Sequence, residues 1–515
     1  MPAGGVMSGT GHVAVVPSLE GDARWPSRDE LRALTERMPA ARPTRYGSVN
    51  VQTRVTERST AATVVVADGR HPASRTISRD AAARFARLQD EYLAGHRSVV
   101  VDGYLGHTGS SRSTARLVVE LANANIAAMQ RELYVDASDF PPGTEVPPAI
   151  TVIDTPSLAV PGVPGGRLVA IWPEEGITRI AGTDYFDDAK KAAVRLWGTR
   201  VEQAGGLLLH AACTVVGTAD GPRAMLLLGR SGAGKSSLTF SGPPGASLAQ
   251  DDFVALFPGA EVVGAEAGCI EKASLVDPVR QPAIHAAATR RDAYLENVSQ
   301  VGADPAFGGR PGGPGRVVFG MQAVEHWPGG QLPPARFLLV LHPWYGVIPA
   351  VARLSVEQAA ACLLLRELGG PAGHPGAAGS ASTIELADQA ERLRALLRSG
   401  GIQTFLVNTG RVGGPDGDDR AKPVRIEHAR AILAATAAGS VEWDFDPDFG
   451  WLRAAAVPGV DDAELLQPRR LYQRQRRPGD YRRQVRLAHA AHAAYLATFP
   501  GLDAAVTGSL RGGRR

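Results

Sequence analysis

Cysteine is scarce in this chain of 515 residues: Cys213, Cys269 and Cys362 stand far apart and without CxxC spacing. That excludes a disulfide framework and a cysteine-based zinc site, and it fits a reducing cytosol. No apolar run approaches the length needed to cross a bilayer. The first residues, MPAGGVMSGTGHVAVV, have no basic start followed by an apolar core, so neither an export signal nor a membrane partner is expected and the localisation reads as cytoplasmic. An excess of one charge is missing too. Lys plus Arg number 55 against 52 for Asp plus Glu, a net of +3, so nothing in the composition draws the chain to nucleic acid or to an anionic surface. No internal repeat is present.

What is there is an ordinary globular composition, 44% apolar and 21% charged, long enough for two to four domains. Its most informative stretch is AMLLLGRSGAGKSSL, Ala224 to Leu238, an apolar strand that runs through a glycine-rich turn into a helix start. It reads as a P-loop. Gly229, Gly232 and Gly234 free the backbone for conformations that a side chain forbids, so the N–H groups of Ser231, Ala233 and their neighbours can face a polyphosphate. Lys235 is then expected to reach the β- and γ-phosphates, and Ser236, followed by Ser237, to bring a hydroxyl to the nucleotide's magnesium ion. The positive end of the helix that begins near Lys235 adds to the same anion site.

A second apolar strand leads into Asp251-Asp252. Beside a phosphate loop, one carboxylate of such a pair can hold a metal ion while the other orders its water. Without that loop, paired acids read as a solvated turn. Elsewhere the chain mixes strand and helix signals. A helix is expected over Ser27 to Met38, another over Arg116 to Arg131 and another over Ile384 to Leu397. Arg58 precedes an apolar strand and can fork onto a carboxylate or phosphate. GTDYFDDAKK, which ends in Lys190 and Lys191, enters a helix whose early cations oppose its dipole, a conflict that makes sense with an anion or metal cluster opposite. His210 sits inside an apolar run, where a histidine reads as a bonded core residue as readily as a ligand. The arginine cluster from Arg469 to Arg486 alternates with Asp, Gln and Tyr and reads as a solvated face.

Taken in order, GTDYFDDAKK, the strand with His210, GRSGAGKSS, Asp251-Asp252, EAGCIEK, RRDAYLENVS, YGVIPAVARLS, FLVNTG and VPGVDDAELLQP resemble the ATP-dependent phosphoenolpyruvate carboxykinases, from about Gly47 to Gly508. The resemblance implies an α/β, two-domain fold: an extension over 1–45, an N-terminal α/β substrate-side domain over 46–205, and a P-loop domain for nucleotide and metal over 206–515. It implies conversion of oxaloacetate and ATP to phosphoenolpyruvate, carbon dioxide and ADP, with manganese and magnesium as cofactors, in a monomer or small homo-oligomer. Carried over residue by residue, Lys191, His210 and Asp252 become manganese ligands, with Lys191 acting as a neutral amine. Lys190 is its catalytic neighbour, Asp251 orders water at the metals, and Ser231, Lys235 and Ser236 belong to the phosphate and magnesium loop. Arg58, Tyr185 and Arg316 fall at the oxaloacetate end, and Glu296 lies in the matching ENV motif.

The chain also departs from the family's pattern. After Asn408-Thr409-Gly410 the usual adenine-side turn is changed, with Pro423 where its arginine aligns, Ala429 in place of a threonine, and Arg425 as the nearby substitute, so GTP stays open beside ATP. Between Arg366 and Thr383 a Gly/Pro/Ala stretch replaces the segment that closes over ATP, and Phe253-Val254 follow the aspartate pair where the family has Glu-His. Two further readings stand beside the carboxykinase: a kinase of this fold with a changed acid substrate, and a nucleotide-binding regulator without efficient turnover. HPr kinases share the loop and the aspartate pair but account for neither the lysine pair nor the similarity near the C-terminus. Retention of Arg58, Tyr185, Lys191, His210, Asp252 and Arg316 together favours catalysis.

Overall fold

The computed structural model describes residues 25–68, 75–109, 111–136, 148–230, 232–308, 313–344, 346–366, 383–415 and 417–512. The fold is α/β, with two large mixed sheets and smaller ones between them. In the first large sheet seven strands lie in the order 76–77, 63–66, 168–172, 177–181, 150–155, 113–120 and 98–105. The second has eight, in the order 247–250, 211–218, 221–229, 335–342, 403–408, 351–354, 452–456 and 442–445.

Side-chain alternation explains why the eight-stranded sheet is buried on both faces. Ala211, Cys213, Leu226 and Leu228 enter one apolar cluster, which also holds Leu363 and Leu393 from the helices Val356–Leu365 and Thr383–Gly400. Ala212, Met225 and Leu227 point the other way, into a cluster shared with Ile432 and Leu433 of the helix Ile426–Ala438. The strands 221–229, 335–342 and 403–408 run parallel, with Gly229 opposite Leu341 and His342 opposite Asn408, so their C-terminal ends share one edge of the sheet. A crevice outside such an edge is where ligands bind in open α/β sheets.

A five-stranded sheet, in the order 41–43, 49–51, 294–296, 316–320 and 268–272, ties the start of the chain to its middle. It therefore draws strands from both sides of residue 205. The helix Arg28–Glu36 begins at Ser27, whose hydroxyl accepts from the Glu30 N–H while Glu30 reaches back, a reciprocal cap of the expected kind. The stretch from Arg116 to Arg131 is not one helix. Ser113–Glu120 is a strand, paired on both sides, and the helix is Ala124–Leu133. Two strand partners there outweigh a pattern that fits either period. Among the described residues no helix is long and apolar enough to cross a membrane.

Candidate active site

Strand register brings the site together. Ala211 pairs with Leu228 and Cys213 with Gln250, both antiparallel, so His210, Gly229 and the Asp251-Asp252 pair emerge at the same end of three adjacent strands. From the other side comes the helix Phe186–Gln203, whose Phe186, Ala189, Ala193 and Trp197 pack into the core with Val152 of the seven-stranded sheet. Its N-terminus is pinned by two carboxylates: Glu296 accepts from Phe186 N at 3.0 Å, and Asp188 accepts from Ser59 N at 2.9 Å and from the Thr183 hydroxyl at 2.9 Å. Lys190, fully buried, and Lys191 leave this helix toward Asp252.

Asp252 is the hub. Its Oδ2 accepts from Lys190 Nζ at 2.6 Å and Lys191 Nζ at 3.0 Å, and its Oδ1 lies 2.7 Å from His210 Nε2 and 3.1 Å from Lys235 Nζ. Burial alone would raise this carboxyl; Lys190, Lys191, Lys235 and His210 instead hold it well below the usual carboxylate range. Burial would likewise lower Lys190, but Asp252 and Glu266, whose Oε2 is 3.2 Å away, raise it, so it is a permanent cation. Lys235 is shifted the other way, lowered chiefly by burial. His210 keeps 35% of its side-chain surface, yet crowding within the cluster and the Lys235 ammonium lower it to about 3, leaving a neutral imidazole at physiological pH.

The other acids divide by environment. Asp251 is raised by burial and points away from its neighbour, accepting from Ile270 N and Gln250 Nε2, each at 3.1 Å. Burial raises Glu266 to about 7 and Glu271 to about 8; Glu271 accepts from the Ser236 hydroxyl. Sequence reasoning gave neither glutamate a role. Both stand in EAGCIEK, where only the fold reveals that they face inward beside lysine and serine.

Two of the three loop glycines have the expected backbone, whereas Gly229 ends its strand without a positive φ. Gly232 and Gly234 both take φ of +89°, a region costly for residues with a side chain. The loop is braced by Thr409, whose hydroxyl donates to Ala233 O at 2.9 Å. Ser231 lies outside the described residues, as does the whole Gly/Pro/Ala stretch between Arg366 and Thr383. The helix that follows the loop, Lys235–Phe240, begins at the expected residue and has six residues, so its dipole is small. Anion attraction here falls to the loop N–H groups and Lys235. Ser237 sits in that short helix behind Ser236.

A cavity of about 300 Å³ opens on the substrate side, lined by Arg58, Tyr185, Asp187, Pro314 and Arg316 among others. Arg316 donates to Gly313 O and Gly315 O, both at 3.1 Å, and its guanidinium stands 5.8 Å from the Tyr185 ring. Arg58 is 3.6 Å from Asp187. Glu296 of the ENV motif contacts the start of the lysine helix, and burial raises it to about 8. Arg425 caps the helix Ile426–Ala438 with its side chain exposed, 3.7 Å from Glu427.

Lys191 Nζ and His210 Nε2 lie 3.0 and 2.7 Å from the two different oxygens of Asp252, so the three side chains expected to hold a cation are gathered at one carboxylate. Among the described residues no three His, Cys, Asp or Glu side chains cluster as a metal site; this set draws its third donor from lysine. A family model described as phosphoenolpyruvate carboxykinase matches residues 24–463. The phosphoenolpyruvate carboxykinase (ATP) of Mesorhizobium japonicum is 27% identical over 485 residues, 86% of this chain and 87% of its own. The namesake from Nitrobacter winogradskyi is 27% identical over 460 residues, 78% and 81% of the two chains. That from Afipia carboxidovorans is 30% identical over 348 residues, 62% and 63%.

Proposed function

We propose a reaction for a chain that belongs to the phosphoenolpyruvate carboxykinase family: it decarboxylates oxaloacetate and transfers the γ-phosphoryl group of ATP to the resulting enolate, giving phosphoenolpyruvate, carbon dioxide and ADP. One observation carries the reading. Lys190, Lys191, His210 and Lys235 converge on the Asp252 carboxylate at the mouth of the glycine loop. A merely structural ion pair needs one cation; three lysines and a neutral imidazole around a single carboxylate suit a centre whose charges rearrange when ligands arrive.

In this reading Arg58, Tyr185 and Arg316 bind the oxaloacetate carboxylates in their cavity, the guanidinium groups matching carboxylate geometry. Lys191, His210 and Asp252 hold manganese, and Ser236 holds magnesium with the nucleotide. When bound, those cations supply charge stabilisation to the enolate oxygen and the transferring phosphoryl group. Lys190, kept cationic by Asp252 and Glu266, adds a fixed positive charge beside the developing enolate. Lys235 leaves Asp252 for the phosphates, whose larger negative charge offsets its burial better than one carboxylate shared with two other lysines. The glycine-loop N–H groups and Lys235 take up the β- and γ-phosphates. Asp251, braced by Ile270 and Gln250, orders water behind Asp252. Both parts of the chain contribute: 46–205 supplies Arg58 and Tyr185 for the acid and Lys191 for manganese, and 206–515 supplies the nucleotide loop, His210, Asp252 and, for the acid, Arg316. Arg425 stands on the base side, where ATP is the expected nucleotide and GTP the competitor to test.

The experiment is to follow oxaloacetate and phosphoenolpyruvate with purified protein, manganese, magnesium and either ATP or GTP, beside a Lys191→Ala variant. Phosphoenolpyruvate from the wild type, lost in the variant, supports the reading. Retained nucleotide binding without phosphoenolpyruvate from either nucleotide overturns it.

A further inference from the structure

We infer that Phe253 is a positioning residue for the cation site: its ring is the wall that holds the side chains of Lys191 and His210 toward Asp252. The inference rests on the metal reading above. Lys191 Nζ lies 4.1 Å from the centre of the Phe253 ring and Lys190 Nζ 5.5 Å from it. The His210 ring stacks on the same phenyl, with centroids 4.9 Å apart and planes 17° from parallel. Two of the three assigned ligands therefore lean on one apolar ring, and that ring belongs to the residue next to the third ligand.

The backbone keeps the ring in place. Phe253 O accepts from Ala265 N at 3.1 Å, and the ring packs partly buried against a core that contains Ala255 and Phe257. Lysine carries its ammonium on a flexible stem, and an imidazole turns freely about its first two bonds. Three mutually repelling cationic groups and an imidazole gathered on one carboxylate would drift toward water without a surface on their outer side. An aromatic face supplies that surface: the lysine stem and the imidazole pack against it, which keeps their nitrogen atoms aimed at Asp252 whether or not the amine carries its proton. It does so without a charge of its own, so it does not compete with Asp252 for Lys191, as a carboxylate at this position would. Groups that orient metal ligands from outside typically change metal affinity by about 10- to 100-fold.

The test uses the full-length protein and Mn²⁺ alone, titrated by electron paramagnetic resonance, with nitrogen coupling read by the pulsed experiment and ATP binding measured in parallel. The proteins are wild type, Phe253→Leu and Phe253→Tyr. Phe253→Leu is expected to bind Mn²⁺ about tenfold more weakly, with reduced nitrogen coupling and unchanged ATP affinity, and Phe253→Tyr to restore both metal signals. Wild-type Mn²⁺ affinity and coupling in Phe253→Leu would overturn the inference and leave the cation site standing. Equal weakening of Mn²⁺ and ATP, or no recovery in Phe253→Tyr, would also overturn it, because either marks a general packing defect. Absence of nitrogen-coordinated Mn²⁺ in the wild type would sink the metal reading itself and this inference with it.

Discussion

His210 Nε2 and Asp252 Oδ1 meet at 2.7 Å although 42 residues separate them. They do so because the strands 211–218 and 247–250 are antiparallel neighbours that start and stop at the same edge. Around that contact gather Lys190, Lys191 and Lys235, so the Asp252 carboxylate balances more positive charge than it carries.

Removing that carboxylate leaves buried lysines facing one another. Asp252→Asn is expected to lower unfolding stability by about 3–5 kcal/mol, the range for breaking a buried charge pair on one side, and to abolish turnover. Urea unfolding checks the first part. A loss under about 1 kcal/mol would mean that the lysines find other partners and that Asp252 is not their anchor.

Stability should fall as pH rises from 4.5 to about 8. Burial raises Glu296 from 4.5 to about 8, and the Glu266 and Glu271 carboxyls to about 7 and about 8. A raised carboxyl keeps its proton in the folded protein after the unfolded chain has lost it, so the stabilisation is present below the ordinary value and is lost as pH rises through the folded one. Glu296→Gln, which keeps an acceptor for Phe186 N, removes one contributor and should flatten part of the decline. Melting curves from about pH 5 to about pH 9 decide this; parallel curves for wild type and variant would contradict it.

Arg316→Ala should act on the acid substrate and not on the nucleotide. The guanidinium stands in the cavity with Arg58 and Tyr185, so its loss is expected to lower kcat/KM for oxaloacetate by about 100-fold, the scale of a charge-assisted hydrogen-bonding pair, with ATP affinity unchanged. Arg316→Lys should rescue poorly, since lysine lacks the planar fork. Equal loss of ATP binding would place Arg316 elsewhere in the mechanism.

Gly234→Ala tests the phosphate loop through its backbone. An added Cβ would meet only Thr409, at 3.7 Å or beyond, so space is not the obstacle; the φ of +89° is. The substitution should cost about 1–2 kcal/mol and sharply weaken nucleotide binding. Gly217→Ala, at a position with ordinary φ and open surroundings, should do neither. Calorimetric titration with ATP distinguishes the two.

The phosphate loop was legible in the sequence because it is local: strand, glycines, lysine and serine follow one another, and Gly232 and Gly234 take the backbone their spacing implies. The lysine pair was marked by its conflict with the helix dipole, but that Lys190, Lys191 and His210 meet was legible only through resemblance, since it depends on strand register and helix docking, which no short stretch encodes. Glu266 and Glu271 escaped notice because an acid in sequence carries no mark of burial. Phe253 stood out only as a departure from pattern, although its position beside Asp252 gives it two ligands to support. The misread helix at 116–131 has a related cause, a polar and apolar spacing that suits both periods until partner strands decide.

The central claim is that the groups around Asp252 serve phosphoryl transfer to an enolate. The most direct measurement follows the label from γ-³²P ATP in the presence of oxaloacetate, manganese and magnesium. The account predicts label in phosphoenolpyruvate, dependent on oxaloacetate and lost in Lys191→Ala while ATP still binds. Label found only in inorganic phosphate, or the same transfer by Lys191→Ala as by wild type, would contradict it.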